Sequence, residues 1–462
     1  MKFLRFIVFT AFLIASASLL ASDDNHTSFY HPSTYPYDFE NPESEFCWAR
    51  SASSEHFYVF WQPGFGADPN AAGVPDKKRV DVSDLLDKAE RFYKTNVDKL
   101  RMADEPLPYG NKLQIYLIDT EDWIATGSGL DDRVGALWIS PATCRPVGSA
   151  IAHEIGHAFQ YLVYCKKLED GKPEPKSGFR YELPGGVGNA FWEISAQWQS
   201  FQDYPQEMFT WYHMDVWFAN YHRALENELT RYQNYWRLYH MTEKRGIDTL
   251  SRIWRESRFP EDACETYIRL YLDGDVDAFY RETYEYAVKT TTFDFDACRA
   301  FVDRQYERYD AQFYGSENGY KQIAYKNCPE INGFSVVKLN PAQGSRVTID
   351  FKGLDPGSPL AVDDPGEYLV QETKKEKTRK YNEFDGTVGW RYGFVALLEN
   401  NERVYGESQT EKEGTIAFDV PEKSKALFFV VAGTSNKYVP HPWDATELND
   451  PQAPYSVRIT YE

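Results

Sequence analysis

The sequence lacks the signatures of several protein classes. No two of its six cysteines stand at C-x-x-C spacing, which argues against a cysteine-bound structural zinc. After the first twenty residues, no run is long and apolar enough to cross a bilayer. Positive charge is also scarce, because 50 lysines and arginines face 70 aspartates and glutamates. The net charge of -20 argues against nucleic acid or an anionic membrane as a partner.

The N-terminus is predicted to be a secretory signal. Lys2 and Arg5 are basic, and the stretch that follows them is almost wholly apolar and ends in small residues, so we assign 1–21 to the signal. Ser22 stands where a lipoprotein would need a cysteine, so the expected product is secreted without a lipid anchor, to the periplasm or beyond. Residues 22–50 are rich in Ser, Pro, Asp and Tyr, and are predicted to be an N-terminal tail or a short pro-segment.

Cysteines in a secreted chain predict disulfide bonds. All six precede residue 330, so we expect up to three bridges in the first part of the chain, and the spacing favours no particular pairing. They are Cys47, Cys144, Cys165, Cys264, Cys298 and Cys328.

Two domains are expected from the length, because about 440 residues after the signal exceed one ordinary core. Residues 51–315 combine strand-like runs with a predicted helix over 81–100 and further helical segments rich in Trp and Tyr. A linker is predicted over 316–332. From 333 to 462, eight short alternating runs separated by turn residues predict an all-β sandwich of jelly-roll type.

The stretch "AHEIGHAFQY" places two histidines four residues apart, with a glutamate directly after the first. On a helix, His153 and His157 share one face, so both imidazoles can bind one metal ion. Glu154 lies about 100° round the helix, where it can contact a water molecule without binding the metal. This is the H-E-x-x-H pattern of zinc hydrolases, in which zinc lowers the pKa of bound water from near 16 to about 7 and the glutamate takes the proton.

An ordinary amphipathic helix is the alternative interpretation of the same letters. Ile151, Ile155 and Leu162 form an apolar stripe, which predicts a buried helix, and buried histidines need polar partners. Gly156 costs about 1 kcal/mol relative to alanine inside a helix, a cost that is explained if another backbone must come close. Both features favour the metal site. Pro146 is predicted to open this helix from its first turn.

A catalytic zinc needs a third protein ligand. The extended motif H-E-x-x-H-x-x-G-x-x-H is excluded, because Gln160 and Val163 stand at its glycine and its third histidine. Glu193, in "GGVGNAFWEISAQWQSF", is the best candidate, because a helix begins close to it and Ala196 would let that helix approach closely. The helix dipole alone also favours a carboxylate in the first turn, with no metal required. Glu182 is the second candidate for the ligand.

The two motifs together resemble a known family. "AHEIGHAFQY" followed by "GNAFWEISAQWQSFQ" is similar to the zincin-like catalytic domain of a domain-of-unknown-function family of secreted bacterial proteins. That family is grouped with the thermolysin-like (gluzincin) metallopeptidases, which use H-E-x-x-H and a distant glutamate. Shorter matches such as "GWRYGFVAL" extend the resemblance over the second domain. The resemblance implies one catalytic zinc held by His153, His157 and Glu193, with Glu154 as the base.

Peptide hydrolysis also needs a hydrogen-bond donor for the oxyanion of the tetrahedral intermediate. Tyr232, in "TRYQNYW", is the preferred candidate on the helices that follow the motif. The strand predicted over 133–141 is the edge on which we expect an extended peptide substrate to add as a further strand. The other candidate donors are His213, His222, Tyr235 and His240.

Two groups in the second domain carry both a structural and a functional interpretation. The loop "HPWDATELND" is most simply a turn-rich connection, although hard oxygen ligands also suggest a calcium or second-metal site. Its candidate ligands are His441, Asp444, Glu447 and Asp450. Three aromatic residues are expected to pack in the core, with a sugar-stacking platform as the alternative. They are Trp390, Tyr392 and Trp443.

The sequence therefore predicts an α+β zincin-like catalytic domain followed by an all-β sandwich. The preferred function is that of a secreted zinc metallopeptidase acting on protein or glycoprotein substrates. The competing class is a non-catalytic secreted protein that binds glycan or protein, through the β-sandwich, and keeps a structural or vestigial zinc site. A third class is a zinc hydrolase of a non-peptide bond. Glu154 favours an enzyme, because zinc binding alone does not require it.

Overall fold

The structure is a computed structural model that describes residues 26–462 except 36, 172–188, 316, 364–365, 372–373 and 445. The predicted secretory signal and Glu182 lie outside the described residues. Within them, every helix is too short or too polar to cross a lipid bilayer. The described residues contain both helices and several β-sheets.

The first part of the chain forms a mixed five-stranded sheet. Its strands are β1 (Ser51–Ser53), β2 (Phe57–Trp61), β3 (Leu113–Leu117), β4 (Ala125–Leu130) and β5 (Val134–Ile139). The order across the sheet is β1-β2-β3-β5-β4, with β2, β3 and β5 parallel and the two edge strands antiparallel. Every residue of β2 and β3 is buried, as expected of central parallel strands.

The strand order corrects one prediction. The strand over 133–141 was expected to be a free edge for substrate, but β5 is paired on both sides, with β3 and with β4. The edge strand next to β5 is β4, which the sequence analysis missed because its residues, Ala-Thr-Gly-Ser-Gly-Leu, have little strand propensity.

Different parts of the chain pack on the two faces of this sheet. On one face lie α1 (Val82–Lys94) and α2 (Ser149–Glu169), which carries the H-E-x-x-H motif. On the other face, aromatic residues of the segment 26–50 pack against rings of β2 and β3 in a separate apolar cluster. The N-terminal residues predicted to be a tail therefore form a packed layer.

The start of α2 also differs from the prediction. Pro146 was expected to open the helix, but the helix begins at Ser149, with Gly148 at the N-cap position. Pro146 lies in the preceding turn, where Val147 forms an isolated bridge with Cys144.

Six further α-helices follow among the described residues, as the aromatic-rich runs predicted. They are α3 (Asn189–Ser200), α4 (Trp211–Asn220), α5 (Trp236–Arg245), α6 (Thr249–Glu256), α7 (Ala263–Tyr271) and α8 (Val276–Thr291). Four of their tryptophans are fully buried. They are Trp198, Trp217, Trp236 and Trp254.

The last part of the chain is all β. The eight predicted runs are all strands, and three short strands join them. The complete set is β6 (Phe313–Gly315), β7 (Lys321–Ile323), β8 (Phe334–Leu339), β9 (Arg346–Gly353), β10 (Glu367–Gln371), β11 (Lys374–Lys377), β12 (Val388–Leu398), β13 (Arg403–Tyr405), β14 (Glu413–Asp419), β15 (Ser424–Ser435) and β16 (Tyr455–Tyr461).

Two antiparallel sheets dominate this part. One has the order β13-β12-β15-β8 and the other β14-β9-β16-β7-β6, while β10 and β11 form a hairpin. The two sheets face each other, because the rings of Phe351 on β9 and Tyr392 on β12 stack with centroids 3.9 Å apart. The hydroxyls of Ser335 on β8 and Tyr455 on β16 also lie 2.8 Å apart. The all-β prediction is confirmed, and the jelly-roll type stays a prediction.

One apolar cluster crosses the predicted domain boundary. It extends from Phe57 in the first sheet to Val457 in the last strand. Helix α8 packs on β12 and β15, and the rings of Tyr286 and Phe334 lie 5.6 Å apart. The limits 51–315, 316–332 and 333–462 stay a prediction.

The disulfide prediction is wrong for this structure. All six cysteines are described and buried, and no disulfide bond joins any two of them. Cys298, for example, lies against the backbone carbonyls of Phe293 and Phe295. The cysteines serve as small buried side chains and not as cross-links.

Candidate metal centre

Close backbone packing fixes the helix that carries the motif. Strand β4 crosses α2 at Gly127, where a Cβ would overlap the backbone of Glu154. On the other side of α2, Gly156 lies against Ala196 of α3, and a Cβ on Gly156 would come within 3.3 Å of the Ala196 Cα. The close approach predicted from these two small residues is confirmed.

This packing brings the three predicted ligands together. The Nε2 atoms of His153 and His157 lie 3.0 and 3.1 Å from one oxygen of Glu193, Oε2. All three side chains are buried, although their ligand atoms line a cavity. Glu193 therefore faces the histidines, and it is more than a first-turn carboxylate of its own helix.

The geometry fits a zinc ion. Ligand atoms on a tetrahedral zinc lie about 3.3 Å apart, since the bonds are about 2.0–2.1 Å long. The two observed separations are within a few tenths of an ångström of that value. In addition, both histidines direct Nε2 at the same point, as two ligands of one ion must.

Gln160 determines which nitrogen of His157 is available. His157 donates from Nδ1 to Gln160 Oε1 over 2.9 Å, which leaves the lone pair of Nε2 for a metal. Hydrogen bonds from Gln160 Nε2 orient this amide. The acceptors are the oxygens of Trp192, Ser195 and Gln199. Sequence analysis used Gln160 only to exclude the extended motif. Its position one helical turn after His157 could have indicated that its side chain reaches the imidazole.

Glu154 is held between the motif helix and the edge strand. Its carboxylate accepts a hydrogen bond from the backbone N–H of Gly127. Burial raises the pKa of Glu154 to about 7, and the nearby charge of Glu193 acts in the same direction. Its position beside the ligands, without sharing their hydrogen bonds, matches the role predicted for a base.

Glu193 has the opposite shift. Burial alone would raise the pKa of this carboxyl, but the charge and hydrogen bonds of His157 and His153 outweigh burial and lower the pKa far below its usual value. An ionised carboxylate is the form that binds a metal.

The structure separates the five candidate oxyanion donors. Tyr232 lines the cavity, hydrogen-bonds Glu193, and has its ring centroid 5.9 Å from that of His153. His213 also lines the cavity, and burial lowers its pKa to about 4. The remaining three are buried and do not line it. They are His222, Tyr235 and His240.

The cavity beside these residues has a volume of about 630 Å³. One wall is formed by four residues of the edge strand β4, from Ala125 to Ser128. Two exposed aromatic side chains stand at the cavity, Trp123 and Tyr212. Sequence analysis did not select them, and no spacing rule connects them to the motif.

The other candidate residues have structural partners. Trp390 and Tyr392 are buried in the β-sandwich, so the core interpretation is confirmed and the sugar platform is wrong for them. Trp443 packs on the guanidinium of Arg231, which also lies 5.1 Å from the Tyr232 ring.

The loop "HPWDATELND" does not bring its four candidate ligands to one point. Asp444 accepts a hydrogen bond from the backbone of Thr446, within its own loop. Glu447 and Asp450 face Arg223, and His441 lies 3.0 Å from Glu228. The calcium hypothesis stays untested, and a guanidinium already neutralises part of this charge.

Comparison with known proteins gives a family. The model of one family, described as a family of unknown function (DUF6055), matches residues 21–461. The chain therefore belongs to this family. No curated protein matches the sequence.

Similarity to solved structures is weak. The chain resembles the M60 catalytic domain with two CBM51 domains of ZmpB from Clostridium perfringens, at 11% identity over 90% of this chain and 59% of that one, with a TM-score of 0.28. A protein from Sulfurospirillum deleyianum is 6% identical over 30% of this chain and 96% of its own, with a TM-score of 0.16. A family GH115 4-O-methyl-alpha-glucuronidase is 9% identical over 70% and 46%, with a TM-score of 0.15. Likenesses at this level carry no argument about fold or activity.

Proposed function

We propose that this member of the DUF6055 family is a secreted zinc-dependent hydrolase of the gluzincin type that cleaves peptide bonds. The observation that carries the proposal is the convergence of His153, His157 and Glu193 on one point, with Glu154 beside it at a cavity. A zinc ion bound there would polarise a substrate carbonyl and acidify water.

The chain's own residues would handle the protons. Glu154 is positioned to accept a proton from the attacking water and return it to the leaving amine. Gly127 holds this carboxylate through its backbone N–H, so the base and the edge strand are fixed relative to each other. The raised pKa of Glu154 supports a role in which the carboxyl both accepts and donates a proton.

The edge strand gives the substrate a place to bind. Among the described strands, β4 pairs only with β5, and its residues 125–128 face the cavity. An extended peptide can therefore add alongside β4 by main-chain hydrogen bonds, a mode that suits a polypeptide and not a small ester or sugar. This observation favours a peptide substrate over a non-peptide one.

Tyr232 is the proposed donor to the oxyanion. It is the candidate that both lines the cavity and hydrogen-bonds a proposed ligand, Glu193. Burial raises its pKa, so the hydroxyl keeps its proton and can donate it in a hydrogen bond. His213, neutral above about pH 4, is the neighbouring polar group on the same cavity wall.

The decisive experiment separates metal binding from catalysis. In Glu154→Gln, we expect zinc content to remain and hydrolysis of a broad peptide and glycoprotein library to fall by about 10²–10⁴-fold, as loss of a general base predicts. Glu169→Gln, at the exposed end of the same helix, is the matched control and should change neither quantity.

Two results would count against the proposal. If Glu154→Gln cleaves the library as well as the wild type, the glutamate is not the base and the enzyme interpretation fails. If the wild type binds zinc but hydrolyses only non-peptide substrates in a parallel screen, the site is a hydrolase of another bond.

A further inference from the structure

A second group of buried acidic side chains lies away from the candidate active site. The carboxylates of Glu226 and Asp262 and the thiol of Cys264 have their polar atoms within 4.8 Å of one another. Asp262 and Cys264 are completely buried and Glu226 is 4% exposed. Three acidic groups gathered in a site that excludes water need a cation or shared protons.

Glu226 is the member with the weakest hydrogen bonding. Neither of its carboxylate oxygens makes a hydrogen bond of good geometry, although the backbone N–H groups of Ala263 and Cys264 face it from the start of α7. The other two members are partly satisfied, since Asp262 caps α7 and accepts from the Tyr438 hydroxyl at 2.6 Å. A carboxylate this deep in a protein, faced only by backbone N–H groups at poor geometry, is expected to bind something.

A second buried acidic group in the same molecule already has a cation. Glu330, His441 and Asp450 form a similar buried group, but Arg223 and Asn227 donate to its carboxylates. That group has a fixed cation of its own and needs no ion. Among the described residues, no guanidinium pairs in this way with the group around Glu226.

The charge balance indicates the kind of ion. Arg237 acts electrostatically on Cys264, but its guanidinium lies over Phe279 and Tyr286 and donates to Thr283 rather than to either carboxylate. With the three acidic groups ionised and Arg237 protonated, two negative charges remain, and one divalent cation neutralises them. A thiolate among the ligands selects zinc over calcium or magnesium.

We propose that Glu226, Asp262 and Cys264 bind a second, structural zinc ion, with a water molecule as the fourth ligand. Binding would release the thiol proton and the proton shared by the carboxyls. The ion would join two segments of the chain, the loop that leads from Glu226 to Tyr232 and the start of α7. Tyr438, after β15, is linked to the site through its hydrogen bond to Asp262. This inference does not rest on the proposed peptidase activity.

Cobalt substitution tests the site through its sulfur. Metal-free full-length protein reloaded with Co²⁺ should show a thiolate-to-cobalt charge-transfer band in the near ultraviolet. The candidate active site has only nitrogen and oxygen ligands, so it cannot produce this band. Cys264→Ser should abolish the band, whereas Cys298→Ser, a change at another buried cysteine, should keep it.

Zinc analysis gives the second measurement. We expect two zinc ions per wild-type chain, one in Glu226→Gln and one in His157→Ala, and the His157 variant should keep the cobalt band. The absence of the band in the wild type would overturn the inference even if the Cys264 variant failed to fold, and would indicate a proton shared between Glu226 and Asp262. Loss of hydrolysis alone would leave the inference standing, because it concerns the other ion.

Discussion

At the scale of single residues, Gln160 shows how a departure from a motif acquires a role of its own. It stands where the extended motif has glycine, and it accepts the Nδ1 proton of His157 while its nitrogen faces three oxygens. Gln199, one of these partners, continues the chain of contacts to Asn96 beyond α1. The ligand is thereby oriented by a network that reaches across three helical segments.

Removing this support should weaken metal binding without touching a ligand. In Gln160→Ala we expect zinc affinity to fall by about 10–100-fold, because His157 loses the acceptor that fixes its ring and tautomer. Competition with a chelator measures the change. Gln202→Ala, which removes a glutamine bonded only to the Trp198 carbonyl, is the control. Equal zinc affinity in both variants would contradict the role given to Gln160.

A second residue-scale prediction concerns pH and a histidine far from the proposed chemistry. Burial, assisted by Arg237, lowers the pKa of His240 well below its usual value. Below about pH 6.5 the unfolded chain therefore takes up a proton at this position that the folded chain does not, so His240 costs stability as the pH falls. When the pH falls from 7.5 to 5.0, the free energy of unfolding of His240→Phe should therefore rise by up to about 2 kcal/mol relative to that of the wild type.

Urea unfolding at the two pH values measures this difference. His56 provides a control of opposite sign, because its hydrogen bond and charge pairing with Glu90 outweigh burial and raise its pKa. The stability that His56 contributes is fully present below about pH 6.5 and is lost as the pH rises through the folded-state pKa. His56→Gln should therefore lose more stability at pH 5.0 than at 7.5. A His240 variant with the same pH trend as His56→Gln would disprove the assignment.

At the scale of elements, the contact between β4 and α2 joins the proposed substrate edge to the helix that carries the H-E-x-x-H motif. The backbone of Gly127 lies so close to Glu154 that any side chain at position 127 would overlap the helix. The same residue donates its N–H to the Glu154 carboxylate. One glycine therefore sets both the distance between the two elements and the orientation of the proposed base.

Gly127→Ala should affect stability and activity together. Overpacking of this kind costs about 1–3 kcal/mol, and the displaced strand would no longer hold the base, so kcat should fall as well. Gly73→Ala is a suitable control, because a Cβ at Gly73 meets no atom within 4 Å. Thermal unfolding and peptide hydrolysis measure the two effects. If Gly127→Ala had the same stability and activity as Gly73→Ala, the close contact at Gly127 would not be required for either.

The elements also show what the sequence could and could not predict. Periodicity predicted α1, the three central strands and all eight alternating runs of the β part, because each carries an apolar pattern. Strand β4 was missed, since its glycines are required by packing against α2 and not by strand propensity. The helix spacing predicted His153 and His157. Glu193 was the best candidate from its own local sequence, with Glu182 as the alternative, and the family resemblance strengthened it, because no local rule links residues that are 40 positions apart.

At the scale of the whole molecule, the N-terminal segment completes the fold and lies away from the cavity. Its aromatic side chains cover the sheet face opposite α2, and the described residues 26–50 contribute nothing to the cavity wall. Phe39, for example, is 4% exposed and packs edge-on to Phe60 with ring centroids 5.0 Å apart. A layer in this position stabilises the sheet and does not block the proposed active site.

This arrangement distinguishes a structural layer from an inhibitory pro-segment. Phe39→Ala should lower the free energy of unfolding by about 3–5 kcal/mol and leave kcat of the folded protein unchanged. Glu43→Ala, at an exposed position of the same segment, should change neither. Chemical denaturation and library hydrolysis test both variants. Higher activity in Phe39→Ala at unchanged stability would support the pro-segment interpretation instead.

The six separate, buried cysteines have a practical and biological consequence. A fold without cross-links does not depend on an oxidising environment, so its cohesion comes from packing and, on our proposals, from two metal ions. A thiol reductant should leave the melting temperature of such a protein unchanged, whereas a strong chelator should lower it. It can mature equally well where oxygen is scarce, and on our proposals its supply of zinc, more than the redox state of its surroundings, would decide how long it stays folded.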